Sequence, residues 1–286
     1  MSYDLYFKPR TGAVDQHKIA AYFSSRPHYE VTPPQALYQN EDTGVYFVFE
    51  MQGEAEGEGS ENYPVLFNIN FFRPSYFIEE AEPEVTAFVS NFDMIISDPQ
   101  LQGMGEGEYD PGRLKSGWDH GNEFGYSALL KNQMSAISLP TAVLRRAWSW
   151  NFKRQQLQED LGEGKFVPRV MFIQLEGAVK TAAVWPDGIP IAVPDVDYLI
   201  VPRKELAPRR LFRRVKDTTV VALKDAMLIL RKHGTANADG TLILNYDAPT
   251  DEVAKYVASL PADEREIKGV AADQVLDREL VEKHST

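Results

Sequence analysis

The chain has 286 residues, and its 43% hydrophobic and 25% charged content is typical of a folded globular protein, which excludes a disordered chain. The absence of cysteine excludes disulfides, thiol nucleophiles and thiolate metal sites, and it favours a reducing compartment. The net charge of −12 argues against direct nucleic-acid binding, and no apolar run approaches the ~20 residues that span a bilayer.

The N-terminal part of the chain alternates between strand and helix patterns. Its first residues, Met1 to Pro9, lack the basic stretch and apolar run of a signal peptide, so we expect a cytoplasmic protein. The predicted elements are a strand at Tyr3–Phe7, a helix at Ala13–Arg26, strands at Gln35–Gln39, Gly44–Met51 and Val65–Phe72, a helix at Glu79–Asn91 and a strand at Asp93–Ser97. The order β-α-β-β-β-α-β predicts an α+β sandwich of ferredoxin-like type over residues 1–100.

Residues 101–116 are rich in Gly, Glu and Pro and are predicted to form an exposed loop or linker. Residues 117–286 are predicted to form a helical segment and then a second, mixed α/β region. Its predicted elements are helices over 120–160, strands at Arg169–Leu175, Ala178–Trp185, Ile189–Val193 and Tyr198–Val201, a helix at Thr219–His233, a strand at Thr241–Tyr246, and helices at Thr250–Leu260 and Ala271–His284. The sequence leaves open whether the two halves are separate domains.

The charge is distributed unevenly along the chain. Residues 41–110 hold sixteen acids and one base, Arg73, so this window carries −15 and the rest of the chain sums to +3. A field of one sign accelerates association with an oppositely charged partner and repels others. The window therefore predicts an acidic surface, without naming what binds to it.

The sequence contains no motif that identifies a reaction. Its five histidines lack metal-ligand spacing, and no G-x-S-x-G, Walker or dinucleotide-binding glycine pattern occurs. Two acidic, glycine-rich segments, 53–61 and 105–110, offer the oxygen ligands that calcium prefers, but the EF-hand spacing is missing and solvated loops are the simpler interpretation. We expect no cofactor and no metal, while a pair of catalytic carboxylates assembled by the fold stays open.

A basic cluster lies in the second half of the chain. Its members are Arg203, Lys204, Arg209, Arg210, Arg213, Arg214 and Lys216. One interpretation is a patch that binds nucleic acid or phosphate. The interpretation that we favour is that these bases face the acidic half of the same molecule or solvent.

Three segments carry a resemblance to known proteins. Ser2–Phe7, the segment from Asn91 to Gln100 and the turn Trp185–Pro190 resemble those of uncharacterised bacterial cytosolic proteins. Some proteins of that kind are encoded beside polymorphic or type VI secreted toxins and act as immunity proteins. The resemblance implies a protein that binds and blocks a toxin and has no chemistry of its own.

The leading hypothesis is therefore a non-catalytic immunity-type protein that occludes a cognate toxin with a basic surface, such as a nuclease, through acidic residues. The candidate partner-binding residues are Glu54, Glu56, Glu58, Glu61, Glu106, Glu108, Asp110 and Trp118. Solubility is the simpler interpretation of each of them. The alternatives are a hydrolase that uses scattered carboxylates and histidines, and a self-associating adaptor protein.

Overall fold

A computed structural model describes residues 1–13, 15–52, 63–131, 136–207, 209–210, 213–214, 217–263 and 265–284, with the backbone alone for 209–210 and 213–214. It combines helices with antiparallel sheets, so the predicted α+β class is confirmed. The chain divides into two compact units: unit 1 comprises Met1–Thr141 and Asp273–Thr286, and unit 2 comprises Ala142–Ala272.

The strands of the described residues are β1 (Ser2–Pro9), β2 (Tyr29–Thr32), β3 (Gln35–Asn40), β4 (Val45–Met51), β5 (Val65–Asn70), β6 (Met94–Asp98), β7 (Gly105–Gly107), β8 (Ile137–Leu139), β9 (Met171–Leu175), β10 (Ala178–Val184), β11 (Ala192–Val193), β12 (Tyr198–Arg203), β13 (Arg209–Arg210), β14 (Arg213–Arg214), β15 (Asp217–Ala222), β16 (Gly234–Ala236), β17 (Leu242–Leu244), β18 (Lys268–Val270) and β19 (Val275–Asp277). The helices are α1 (Gln16–Ser24), α2 (Tyr76–Phe92), α3 (Pro111–Leu130), α4 (Thr141–Leu161), α5 (Leu223–His233), α6 (Asp251–Ser259) and α7 (Arg278–His284).

Unit 1 is built on a seven-stranded sheet in the order β2-β3-β4-β5-β1-β6-β7, in which all neighbours are antiparallel. Burial alternates along β1, β4 and β5, as expected for strands with one face in the core. On that face, Phe7 lies 5.2 Å from Phe88 of α2, and Phe49 lies 4.7 Å from Phe23 of α1, measured between ring centroids. These fully buried rings hold both helices to one side of the sheet.

The C-terminal segment of the chain completes unit 1. Strand β19 pairs in parallel with β8, and the carboxylate of Asp277 at its end is 1% exposed. This carboxylate accepts hydrogen bonds from the backbone nitrogen of Ser75 at 2.7 Å, from Ser75 Oγ at 2.8 Å and from Thr141 Oγ1 at 2.7 Å. Asp277 thereby ties the last residues of the chain to the start of α2, where the helix dipole favours a negative charge.

Unit 2 contains a five-stranded sheet in the order β15-β12-β10-β9-β18 and a three-stranded sheet in the order β11-β17-β16. The strands predicted on either side of Glu176 and Gly177 pair as the hairpin of β9 and β10, and both turn residues have positive φ. Helix α6 begins where predicted, because Thr250 Oγ1 accepts a hydrogen bond from the backbone nitrogen of Val253 at 3.3 Å.

Four strands of unit 1 were not predicted: β2, β7, β8, which lies inside the segment 120–160 expected to be helical, and β19, which pairs with β8. Strand β2 extends the sheet by pairing with β3, and β7 pairs with β6 although its sequence is Gly-Glu-Gly. Residues 101–116, expected to be a loop or linker, thus carry β7 and the start of α3. The division between the units follows Thr141 instead of residue 116. Strand β7 is specified by its neighbour β6, because Gly-Glu-Gly has little strand preference of its own. Strand β2 has the sequence Tyr-Glu-Val-Thr, which does favour a strand.

Two predicted helices of the second half begin with strands instead. Thr219–Ala222 belong to β15, which pairs with β12, so α5 begins only at Leu223. The β-branched pair Val220 and Val221 favours this strand, and both side chains are buried. The segment Ala271–His284 contains a short 3-10 turn and β19 before α7 begins at Arg278. In both cases a sheet partner distant in sequence overrides the local helical spacing.

Among the described residues, no helix combines the length and the apolar character required to cross a lipid bilayer.

Candidate functional site

Two of the predicted partner-binding acids are exposed but already ion-paired. Glu106 of β7 accepts a hydrogen bond from Lys8 Nζ at 2.7 Å. Glu108 accepts two hydrogen bonds from Arg10, one from each terminal nitrogen, at 2.8 Å each. The hydrogen bond from Lys8 lowers the pKa of Glu106, and the hydrogen bonds from Arg10 lower the pKa of Glu108. Both carboxylates therefore stay ionised to a lower pH than an unpaired glutamate, and their charge is balanced by bases at the end of β1.

The next predicted acid, Asp110, has a local structural role. It is the N-terminal cap of α3, and its Oδ1 accepts a hydrogen bond from the backbone nitrogen of Arg113 at 2.9 Å. Its side chain is nevertheless on the surface. An acid in this position stabilises the helix by occupying an otherwise unpaired backbone donor.

The prediction that Trp118 lies on the binding surface is wrong. The residue is 0% exposed, and its ring lies 6.5 Å from that of Phe71 between centroids. Its helix packs closely against β1 at this level, because the Cα of Gly117 lies beside the ring of Tyr3. Trp118 is therefore a core residue, as is usual for large aromatic side chains on the buried face of a helix.

The other four predicted acids, Glu54, Glu56, Glu58 and Glu61, lie outside the described residues. The segment that contains them joins Gln52, after β4, to Tyr63, before β5. Tyr63 itself is described: its ring contacts Tyr6 at 6.1 Å between centroids, and Lys8 Nζ lies 4.8 Å from the ring centroid.

The sheet of unit 1 has a second face, opposite to the helices, and this face is the candidate site. Directly paired residues of neighbouring strands share a face. One series of directly paired residues, one from each of the seven strands, runs across this face: Thr32, Gln35, Glu50, Leu66, Tyr6, Ser97 and Glu106. Each of these side chains is half-buried or exposed. We call this surface the open face.

Apolar side chains run diagonally across the open face. Leu37 lies opposite Val48, Val48 is diagonal to Leu66, Leu66 lies opposite Tyr6, and Tyr6 is diagonal to Ile95. All five are half-buried, and neighbours at such positions are close enough for their side chains to touch. The result is an apolar stripe across five strands.

Acidic side chains flank this stripe. Glu30, Asp4 and Glu50 share the open face with it, and Lys8 is the base at its β6 side, where it pairs with Glu106. An apolar centre with a charged rim is the arrangement of many protein–protein interfaces. The alternation of buried and exposed residues along each strand could have separated these residues from the core positions. The local sequence does not, however, give the order of the strands in the sheet.

The division of the chain into units also divides its charge. Unit 1 holds 25 acidic and 10 basic side chains, a net charge of −15, and unit 2 holds 17 acidic and 20 basic side chains, a net charge of +3. An ion pair within a unit removes one charge of each sign and leaves these net values unchanged. The surplus of acids in unit 1 therefore persists whatever the internal pairing.

The two members of the basic cluster whose side chains are described have different surroundings. Arg203 is 1% exposed, and its Nε and Nη2 donate to the two carboxylate oxygens of Asp217 at 2.8 Å, within unit 2. Lys204 is exposed and lies 3.3 Å from Glu205. The side chains of the other five members lie outside the described part. The acid that pairs with Arg203 is therefore Asp217, and not an acid of the window 41–110.

Two of the histidines each lie beside a surface glutamate. His233 lies 3.2 Å from Glu252 and His284 lies 3.2 Å from Glu123, and each of these glutamates also pairs with a neighbouring lysine on the surface. In the described ranges, no group of three or more His, Asp or Glu side chains is arranged to hold a metal ion.

Comparison with known proteins adds no relative. No protein-family model, no curated protein and no solved structure matches this chain.

Proposed function

We propose that this protein has no chemistry of its own and captures a positively charged protein, in the manner of bacterial immunity proteins that occlude a cognate toxin. The observation that supports this proposal is the net charge of −15 on unit 1 beside +3 on unit 2. A toxin that cleaves nucleic acid needs a positive cleft to attract phosphate, and an acidic inhibitor exploits the same field.

The physical role of the charge is to accelerate encounter. At physiological ionic strength, charges act over a Debye length of about 8 Å, so a surplus of acids on one unit steers a basic partner as it approaches. Affinity then depends on a few side chains that become buried in the complex. Acids held in ion pairs, such as Glu106 and Glu108, add less to this field than their number suggests.

We place the contact on the open face. Its apolar stripe supplies the part of the interface that excludes water, and Glu30, Asp4 and Glu50 supply a rim of carboxylates. The complementary partner surface has an apolar centre with Lys and Arg around it. The segment that carries Glu54, Glu56, Glu58 and Glu61 connects to the open face's strands β4 and β5, which adds four acids to the same region of the chain.

We also propose that the core of unit 1 has the ferredoxin-like fold. The order β4-β5-β1-β6 with antiparallel neighbours, together with α1 after β1 and α2 after β5, supports a β-α-β-β-α-β set. In that description β2, β3 and β7 are additions at the two edges. A strand order other than β4-β5-β1-β6 would overturn it.

The test uses the basic product of a neighbouring toxin gene, immobilised for kinetic measurement. We expect the association rate constant to fall by about tenfold or more between about 0.05 M and about 0.3 M NaCl, with a much smaller change in the dissociation rate. Co-expression is expected to restore growth of cells that produce the toxin. A rate constant independent of salt would overturn the electrostatic part of the proposal.

A matched pair of variants tests the position of the contact. Glu50→Lys reverses a charge on the open face, and Glu266→Lys reverses an exposed charge in unit 2. We expect Glu50→Lys to slow association and weaken binding, and Glu266→Lys to leave both close to the values of the original protein. Equal effects of the two substitutions would exclude the open face as the contact.

A further inference from the structure

Unit 2 contains a groove that the proposed function does not use. Its volume is about 610 Å³, within the range of small-molecule sites. The groove is lined by Lys180 of β10, the segment 193–198 that leads into β12, helix α5 as far as Arg231, and the turn before β17. Its apolar lining includes Pro194, Val196, Met227 and Leu242, with the half-buried ring of Tyr198 beside them.

Three cations line the same groove: Lys180, Lys224 and Arg231. On α5, Lys224, Met227 and Arg231 are spaced i, i+3 and i+7, so they occupy one face of the helix. Two turns separate the two bases, a distance of about 10 Å along the helix axis. One wall of the groove therefore alternates cation, apolar side chain and cation, and Lys180 adds a third positive charge from β10.

The carboxylates of the groove have other partners. Asp195 lies 3.1 Å from Arg146 Nε, and Asp197 Oδ2 accepts hydrogen bonds from the backbone nitrogen and the hydroxyl of Thr181 at 2.9 Å each. Within the described residues, Lys180, Lys224 and Arg231 form no ion pair. On the same helix, Lys232 faces away from the groove and pairs with Glu252 at 2.7 Å. The groove thus keeps a local positive charge over an apolar floor.

We propose that this groove binds a small organic anion with an apolar or aromatic body. Its carboxylate or phosphate group interacts with Lys180, Lys224 and Arg231, and its body lies on Pro194, Val196 and Met227 beside the ring of Tyr198. Charge-assisted hydrogen bonds orient the anionic group, and burial of the body supplies the rest of the affinity. This site is independent of the capture of a basic protein by unit 1.

The test uses three probes that share one ring system: 2-naphthoate, 2-naphthyl phosphate and uncharged 2-naphthol, titrated into the full chain. We expect both anions to bind at least about tenfold more tightly than 2-naphthol, because the cations distinguish the charged group. The more tightly bound anion identifies the preferred group, carboxylate or phosphate. Equal binding of 2-naphthol, or failure of both anions to bind, would overturn the proposal.

Single substitutions locate the binding. Lys224→Gln and Arg231→Gln each remove one cation from the groove wall, and Lys255→Gln removes an exposed cation from α6 as the matched control. We expect each groove variant to weaken anion binding about tenfold and the control to change it little. Because all three side chains are exposed, the thermal midpoint of unfolding should stay unchanged. If Lys255→Gln weakens anion binding as much as the groove variants do, the groove is not the binding site.

Discussion

Arg10 and Glu108 are joined by two parallel hydrogen bonds, from Nη1 to Oε1 and from Nη2 to Oε2, each 2.8 Å long. The two residues are 98 positions apart in the chain, one after β1 and the other after β7. Strand β6 lies between those strands, so this pair and the pair of Lys8 with Glu106 both connect residues across it. Glu108, which the charge pattern predicts to bind another protein, is thus also ion-paired within its own fold.

Replacement of Arg10 should be visible in the titration of Glu108. The hydrogen bonds from Arg10 lower the pKa of this carboxyl below its ordinary value of 4.5. We expect Arg10→Gln to raise the pKa back toward that value, while Lys18→Gln, an exposed base without an ion pair in the described residues, leaves it unchanged. Carbon-detected NMR of the side-chain carboxyl measures both.

The same pair gives a pH dependence of stability with a defined sign. Because the folded-state pKa of Glu108 is depressed, its stabilising contribution is complete above the unfolded-state value of 4.5 and is lost as the pH falls through the folded-state value. Arg10→Gln should therefore lose less stability than the original protein when both are acidified below about pH 4.5. Urea unfolding at several pH values measures this difference, and parallel curves would contradict it.

Glu80 of α2 should be essential to the stability of unit 1. It is 2% exposed, and its Oε1 accepts hydrogen bonds from Tyr38 and Asn40 at 2.8 Å and from Thr43 at 3.0 Å. Removal of the carboxylate leaves three buried donors without this acceptor, at about 1–3 kcal/mol each before relaxation. We expect Glu80→Ala to lower the free energy of unfolding by roughly 3–5 kcal/mol.

Two further variants make this prediction specific. Glu80→Gln retains an oxygen acceptor and should cost less than Glu80→Ala, and Glu79→Ala removes the neighbouring, partly exposed glutamate that pairs with Lys115. The second change should cost at most about 1 kcal/mol, as is usual for surface ion pairs. Chemical denaturation compares the three, and similar losses for Glu80→Ala and Glu79→Ala would disprove the role of the buried acceptor.

Asp277 should hold the C-terminal segment to unit 1. Its carboxylate is the shared acceptor for Ser75 and Thr141, so Asp277→Ala removes the acceptor of these half-buried donors at the starts of α2 and α4. We expect a loss of roughly 3–5 kcal/mol and faster hydrogen exchange in β19 and α7. Glu282→Ala, which changes an exposed acid of α7, is the control. Unchanged exchange in β19 after Asp277→Ala would contradict the prediction.

Arg203 should be a structural residue of unit 2. Besides its contacts with Asp217, its Nη1 donates to the carbonyl oxygens of Val257 at 2.9 Å and Leu260 at 2.6 Å. A lysine has no planar fork, so Arg203→Lys cannot replace these four hydrogen bonds. We expect it to destabilise unit 2 by about 3 kcal/mol or more.

The neighbouring base provides the comparison for Arg203. Lys204→Ala removes an exposed charge whose ion-pair partner, Glu205, is also exposed, and it should change stability by less than about 1 kcal/mol. Urea unfolding measures both variants. If Arg203→Lys unfolds at the same denaturant concentration as the original protein, the four hydrogen bonds of Arg203 do not stabilise unit 2.

Local sequence predicted the elements whose side chains carry their own signal. The alternation in β1, β4 and β5 gives the core face of the sheet, and the hydroxyl of Thr250 followed by two acids gives the start of α6. The edge strand β7 was not predictable in this way, since Gly-Glu-Gly has almost no strand preference and pairs only because β6 is beside it. The first residues of β15 were misassigned for the related reason that a short apolar run fits either periodicity.

By itself, the sequence determined the α+β class, the core positions of the long strands and the net charge, because these depend on composition and on side chains a few residues apart. The tertiary structure decided that Trp118 is buried, that Glu106 and Glu108 are ion-paired, and that the last residues return to unit 1. Each of those outcomes depends on contacts between residues far apart in the chain: Trp118 meets Phe71, Glu108 meets Arg10 over 98 positions, and Asp277 meets Ser75 over 202. Chain closure over such distances is set by the whole packing arrangement and not by local preference.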